Sequence, residues 1–127
     1  MSKKIVVTGL GMVSSLGSNV AENWENLKNG KSGVSEISII DTSKLETKIA
    51  AMADNGFEEY VAGKVSKRQR KQMTRSMRMS IAASNEAIDD SKIDFQSYDC
   101  SKVGVIMGVI DTSLKEEEKE ISESHMI

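Results

Sequence analysis

At 127 residues, 13.9 kDa and 39% hydrophobic content, the chain is long enough for one ordinary domain and too short for two. Lys+Arg 17 against Asp+Glu 19 gives a net charge of -2, which excludes a bulk electrostatic attraction to nucleic acid or an anionic membrane. The single cysteine, Cys100, excludes an internal disulfide, and the single histidine, His125, leaves no Cys/His set with zinc spacing, so no metal is expected.

Residues 1–4 are basic and residues 5–13 mostly apolar, an order that imitates a secretory signal. Thr8, Gly9 and Gly11 break the apolar run, no Ala-x-Ala cleavage site follows, and no stretch of about 18 apolar residues occurs anywhere, so a cytoplasmic chain without a membrane span is expected. Ile5-Val6-Val7-Thr8 is β-branched and reads as a buried strand, running into a loop punctuated by Gly9, Gly11 and Gly17. Asn19 and Glu22 have capping-box spacing, Val20, Trp24 and Leu27 recur on one helical face, and Gly30 follows as a stop, so an amphipathic helix is predicted from Asn19 to Gly30. Residues 37–40 and 48–52 read as short extended pieces, and residues 57–60 as one helical turn.

Ser66 and Gln69 repeat the capping-box spacing, and Met73, Met77, Ile81, Asn85 and Ile88 follow as one stripe, predicting a long helix over 66–89. Residues 103–110 are apolar on both faces, as in a central parallel strand covered by helices. Residues 113–127 are charged and helix-compatible and stop without a C-terminal cap, so an incomplete domain is expected.

Gly9-Leu10-Gly11 after a strand invites a dinucleotide fingerprint, but the third glycine is replaced by Ser14 and the helix opens only near Asn19. Gly30-Lys31-Ser32 is no phosphate loop, because position 25 is Glu25 and not glycine. Lys64, Lys67, Arg68, Arg70, Lys71, Arg75 and Arg78 crowd one stretch with no acid between Val61 and Asn85. On a helix, Lys67, Lys71, Arg75 and Arg78 share a stripe suited to an acidic partner or a phosphate; the alternative is a solvated face paired with Glu116, Glu117, Glu118 and Glu120. No aromatic interleaves these cations, which argues against single-stranded nucleic acid. Cys100 lies in a polar loop before a strand and reads as an inert thiol, and His125 has no placed nucleophile. Met73, Met77 and Met79 read as packing residues.

Taken in order, Val6-Val7-Thr8-Gly9-Leu10-Gly11-Met12-Val13, Leu16-Gly17, Trp24-Glu25-Asn26-Leu27, Gly30-Lys31-Ser32-Gly33-Val34 and Lys48-Ile49-Ala50 resemble the beginning of a β-ketoacyl-acyl carrier protein synthase of the type II condensing-enzyme kind. Lys71-Gln72-Met73-Thr74-Arg75 resembles that family's basic helix segment, and Val103-Gly104-Val105-Ile106-Met107-Gly108 its next buried strand. The resemblance implies an α/β chain forming part of the first half of a thiolase-like layered α/β/α fold, with residues 1–127 as the N-terminal portion of the ketosynthase N-terminal domain and the remainder as its missing partner.

The implied activity is acyl transfer: a cysteine holds the acyl chain as a thioester, malonyl-carrier protein loses carbon dioxide, and the resulting carbanion attacks the thioester. The resemblance places the nucleophile and its two histidines beyond Ile127, so no catalytic residue and no cofactor are expected here, and the chain alone is expected to be inactive. It also implies a homodimer and an acidic acyl carrier protein as partner, docked on Lys67, Arg68, Lys71 and Arg75, with Arg68 and Lys71 the nearest positional matches and Gln72 standing where a third cation is usual. Three departures stand out: Ser15 replaces a common proline, Thr74 replaces a common aspartate, and Val109-Ile110-Asp111 replaces a glycine-rich turn. Gly108, Ile110 and Asp111 are thereby the acyl-pocket candidates, and an unpaired acid there is costly to bury. Two alternatives stand beside this reading: a non-catalytic partner of the chain-length-factor kind, and a Rossmann-like nucleotide-binding module using Gly9 and Gly11.

Overall fold

The computed structural model describes residues 4–53 and 55–108. In chain order these form α1 (Val20–Lys28), β1 (Val34–Glu36), β2 (Ile49–Ala51), α2 (Gly56–Lys64), α3 (Lys67–Arg70), α4 (Arg75–Ser91) and a single 3-10 turn, Cys100–Lys102. The content is α/β: helices beside a two-stranded antiparallel sheet in which Val34 faces Ala51 and Glu36 faces Ile49. The first extended piece thus lies before residues 37–40, although the Ile37 amide still bonds the Lys48 carbonyl at 2.8 Å.

The predicted single turn at residues 57–60 is a nine-residue helix, α2. Its Glu58 and Glu59 lie in the first turn and Lys64 in the last, complementing the helix dipole at both ends. Phe57 and Val61, four residues apart, are fully buried and meet Ala82 of α4; Val13, Tyr60, Val65 and Met79 close around them. This is the core among the described residues, and it joins α2 to α4.

The long helix predicted over 66–89 is two helices. Ser66 and Gln69 form a complete capping box, as their spacing predicts, but α3 lasts one turn. Thr74 then restarts the chain as the N-cap of α4, its hydroxyl accepting from the Met77 amide at 3.2 Å. A side chain that caps a helix also competes with its continuation, and this accounts for the break. At the far end Lys92 closes α4 at φ 53, in the left-handed region.

Helix α1 has the predicted cap and stop: Asn19 Oδ1 accepts from the Glu22 amide at 2.9 Å, and Gly30 follows at φ 64. Its inward face is not the predicted apolar one. Trp24 is 60% exposed, whereas Asn23 is 5% exposed. The Asn23 amide donates to the carbonyls of Gly17 at 2.9 Å and Asn19 at 2.7 Å and accepts from the Ser14 hydroxyl, while Asn26 donates to the Leu16 carbonyl at 2.6 Å. The loop before α1 carries carbonyls that need donors, and amides satisfy them where apolar side chains do not.

The buried strands expected over residues 5–8 and, within 103–110, over the described residues 103–108 are also corrected. Neither run belongs to a strand here, and Ile5 and Ile106 are each 97% exposed. A strand apolar on both faces needs flanking strands for its backbone and helices over both faces, and the described residues supply neither set.

Candidate functional site

The cationic cluster is built on the short helix α3. The capping box at Ser66 fixes its start, and the Lys71, Gln72 and Met73 amides bond back to the carbonyls of Lys67, Gln69 and Arg70, so the chain curls tightly there; Arg70 turns partly inward, its Nε buried. Lys67, Arg68 and Lys71 are exposed, and no salt bridge among the described residues reaches them.

Arg75 and Arg78 do not continue this face, because α3 ends before them. Arg75 donates to the Ala53 carbonyl at 2.6 Å and to Asn55 Oδ1 at 2.8 Å, with its guanidinium 4.9 Å from the centre of the Phe57 ring. Arg78 bonds Glu58 Oε1 at 2.9 Å and the Met73 carbonyl at 2.5 Å. The one stripe predicted from helical spacing is therefore split. Its Lys67 and Lys71 face water, with Arg68 exposed beside them, and its Arg75 and Arg78 tie α4 to α2 and to the segment before it.

Beside the cluster, the stripe of Met73, Met77 and Ile81 faces a largely apolar groove whose other wall is Val105 and Met107. Asn85 also lines it. Gly108, next along the chain, is exposed, and a methyl group added there meets nothing within 4 Å. Ile110 and Asp111 lie outside the described residues, as do His125 and the acidic segment holding Glu116, Glu117, Glu118 and Glu120. Cys100 is exposed in the 3-10 turn, its thiol lying 3.8 Å from the Phe95 carbonyl and 3.9 Å from that of Tyr98.

Gly9 and Gly11 have a role that excludes the nucleotide-binding alternative. A Cβ at Gly9 would lie 2.1 Å from the Ala87 carbonyl oxygen, and one at Gly11 would lie 1.8 Å from that of Ala83, so both glycines admit the backbone of α4. The amides of Leu10 and Met12 donate to the carboxylates of Asp90 at 3.0 Å and Glu86 at 2.9 Å. A pyrophosphate needs such amides free and no anion beside them. The close approach to α4 was not legible in the glycine spacing, but Ala83, Ala87 and Ser91, four residues apart, were the signal for it.

No described helix is long and apolar enough to cross a membrane. Residues 2–126 match the family model for the β-ketoacyl synthase N-terminal domain. Among curated proteins the chain is similar to the 3-oxoacyl-[acyl-carrier-protein] synthase 2 of Staphylococcus aureus (strain COL), at 30% identity over 108 residues, 84% of this chain and 25% of the relative. It is similar to the synthase 2 of Vibrio cholerae at 34% over 111 residues, 85% of this chain and 26% of the relative, and to that of Vibrio harveyi at 34% over 110 residues, with the same coverage. The chain thus spans about a quarter of the length of the curated relatives it matches. With a family match over nearly all of its residues, the chain belongs to the β-ketoacyl synthase family and carries the sequence of its thiolase-like N-terminal domain.

Proposed function

We propose that the protein carrying this chain is a cytoplasmic, homodimeric 3-oxoacyl-acyl carrier protein synthase, and that residues 1–127 are the portion of its N-terminal domain that docks the carrier. The reaction joins an acyl thioester to malonyl-carrier protein: carbon dioxide leaves, the new carbanion attacks the thioester carbonyl, and the enzyme's thiolate departs. Its nucleophile and oxyanion-stabilising histidines fall outside this chain, so residues 1–127 by themselves yield no condensation product. Gly108, Ile110 and Asp111 are the residues proposed to contribute to the acyl pocket of the whole protein.

The observation that carries the reading is the exposed trio Lys67, Arg68 and Lys71, without an acidic partner among the described residues, on a chain of net charge -2. An acidic carrier meets these cations first. Lys67 supplies the third exposed charge that Gln72 lacks, and Arg75, bound to Ala53 and Asn55, adds its field from behind. Each exposed charge contributes about 0.2–1 kcal/mol, so the three act chiefly together and raise the association rate.

The test places Lys67→Glu, Arg68→Glu and Lys71→Glu together in the full-length protein and follows carrier association against ionic strength. Association of the unmutated protein falls as salt rises, and the triple variant loses both the binding and most of its salt dependence. Unchanged association of the variant at low salt refutes the assignment.

A further inference from the structure

We infer that Glu86 is a clasp that closes the loop of residues 13–19 at its base and makes that loop and α1 move as one unit on α4. The inference is independent of carrier docking. It rests on the placement of one carboxylate against two backbone amides that are distant in sequence.

Residues 9–12 run antiparallel to α4, with Leu10 opposite Asp90 and Met12 opposite Glu86. The register has a geometric cause. Two residues of extended chain advance about 6.6 Å, and four residues of helix rise about 6 Å. A helix carrying acids at positions i and i+4 therefore meets alternate amides of an extended neighbour and takes the place of an adjacent strand. Gly9 and Gly11 permit the approach by leaving room for the Ala87 and Ala83 carbonyls.

Glu86 does more than Asp90. Its Oε2 accepts from the Met12 amide at 2.9 Å, and its Oε1 accepts from the Val20 amide at 2.8 Å. Val20 is the first residue of α1, whose leading amides have no partner within the helix, and a carboxylate there also meets the positive end of the helix dipole. Both ends of the 13–19 loop are thus held by one side chain. Between them the loop is bonded internally, by Ser14 with Gly17 and by the Leu16 amide to the Ser14 hydroxyl at 3.0 Å. Both oxygens of Glu86 accept, one from each amide. A glutamine offers one acceptor and turns an N–H toward an N–H.

The test is amide hydrogen exchange on the full-length protein carrying Glu86→Gln, Glu86→Ala or, as a control, Asp90→Asn. Glu86→Ala is expected to speed exchange at Met12 and Val20 by about tenfold and to speed Ser14 and Leu16, which never touch Glu86, along with them. Glu86→Gln gives the same pattern with a smaller change, and its near-identical shape carries the test should the alanine variant not fold. Asp90→Asn affects Leu10 without speeding the loop. Unchanged rates at Ser14 and Leu16 in both Glu86 variants would overturn the clasp and leave two unrelated hydrogen bonds.

Discussion

Arg75 lies 4.9 Å over the ring of Phe57, so a cation from the basic segment caps a fully buried aromatic. Its planar fork also reaches the Ala53 carbonyl and Asn55. Lysine keeps the charge and loses the fork and the stacking surface. Arg75→Lys is expected to lower stability by about 1–3 kcal/mol, whereas Lys71→Ala, at an exposed site, stays within about 0.5 kcal/mol. Denaturant midpoints of the full-length variants decide this, and equal values for the two substitutions would contradict it.

Tyr60 on α2 donates its hydroxyl to Asp89 on α4 at 2.5 Å, with Lys64 beside the same carboxylate at 3.4 Å. The bond to Asp89 is the main reason the Tyr60 hydroxyl is pushed up to about 12, with burial adding to it. The same bond holds Asp89 below the ordinary aspartate value, with Lys64 helping and burial opposing. A lowered acid stabilises the fold above its unfolded pKa of about 3.9 and loses that contribution as pH falls through the folded value. A raised phenol stabilises below its unfolded pKa of about 10 and loses that contribution as pH rises toward 12. In Tyr60→Phe the Asp89 carboxyl is expected to titrate closer to an ordinary aspartate, observed by its NMR shift against pH. An unmoved titration would mean that Lys64 alone sets it.

The glycine contact with α4 predicts opposite outcomes for two alanine substitutions. Gly11→Ala puts a methyl group 1.8 Å from a backbone carbonyl, which cannot rotate away, and is expected to cost about 1–3 kcal/mol or more. Gly63, in α2, has nothing within 4 Å of an added Cβ, and Gly63→Ala is expected to gain about 0.5–1 kcal/mol through helix propensity. Thermal midpoints moving in the same direction would show the contact misassigned.

Both ends of α4 are open to substitution with predictable sign. Thr74→Ala removes the N-cap and is expected to cost about 1 kcal/mol, while Thr74→Asp keeps the acceptor, adds a favourable charge at the helix start and leaves stability equal or higher. Lys92, held at φ 53, pays the left-handed penalty of a side chain, so Lys92→Gly is expected to stabilise by about 1 kcal/mol. Loss of stability in Lys92→Gly would indicate that the lysine stem packs on the helix end.

Local chemistry was legible in the sequence wherever neighbours along the chain sufficed to satisfy it. The caps at Asn19 and Ser66 and the stop at Gly30 all follow from residues within one or two turns. The ordered run from Val6-Val7-Thr8 to Val103-Gly104-Val105 likewise carried the family without coordinates. What only the tertiary structure decided is which groups face each other. Hydrophobic periodicity assigned Trp24 and Leu27 to the inside of α1, but the loop before that helix presents carbonyls, and Asn23 and Asn26 turn inward to meet them; their spacing with Asn19 was the overlooked sign. Helical spacing placed Lys67, Lys71, Arg75 and Arg78 on one stripe, but Thr74 restarts the helix, and α2 then draws in Arg75 and Arg78 through Phe57 and Glu58. A side chain's direction depends on the partner that satisfies it, and when that partner lies on an element twenty or more residues away, no local pattern contains it.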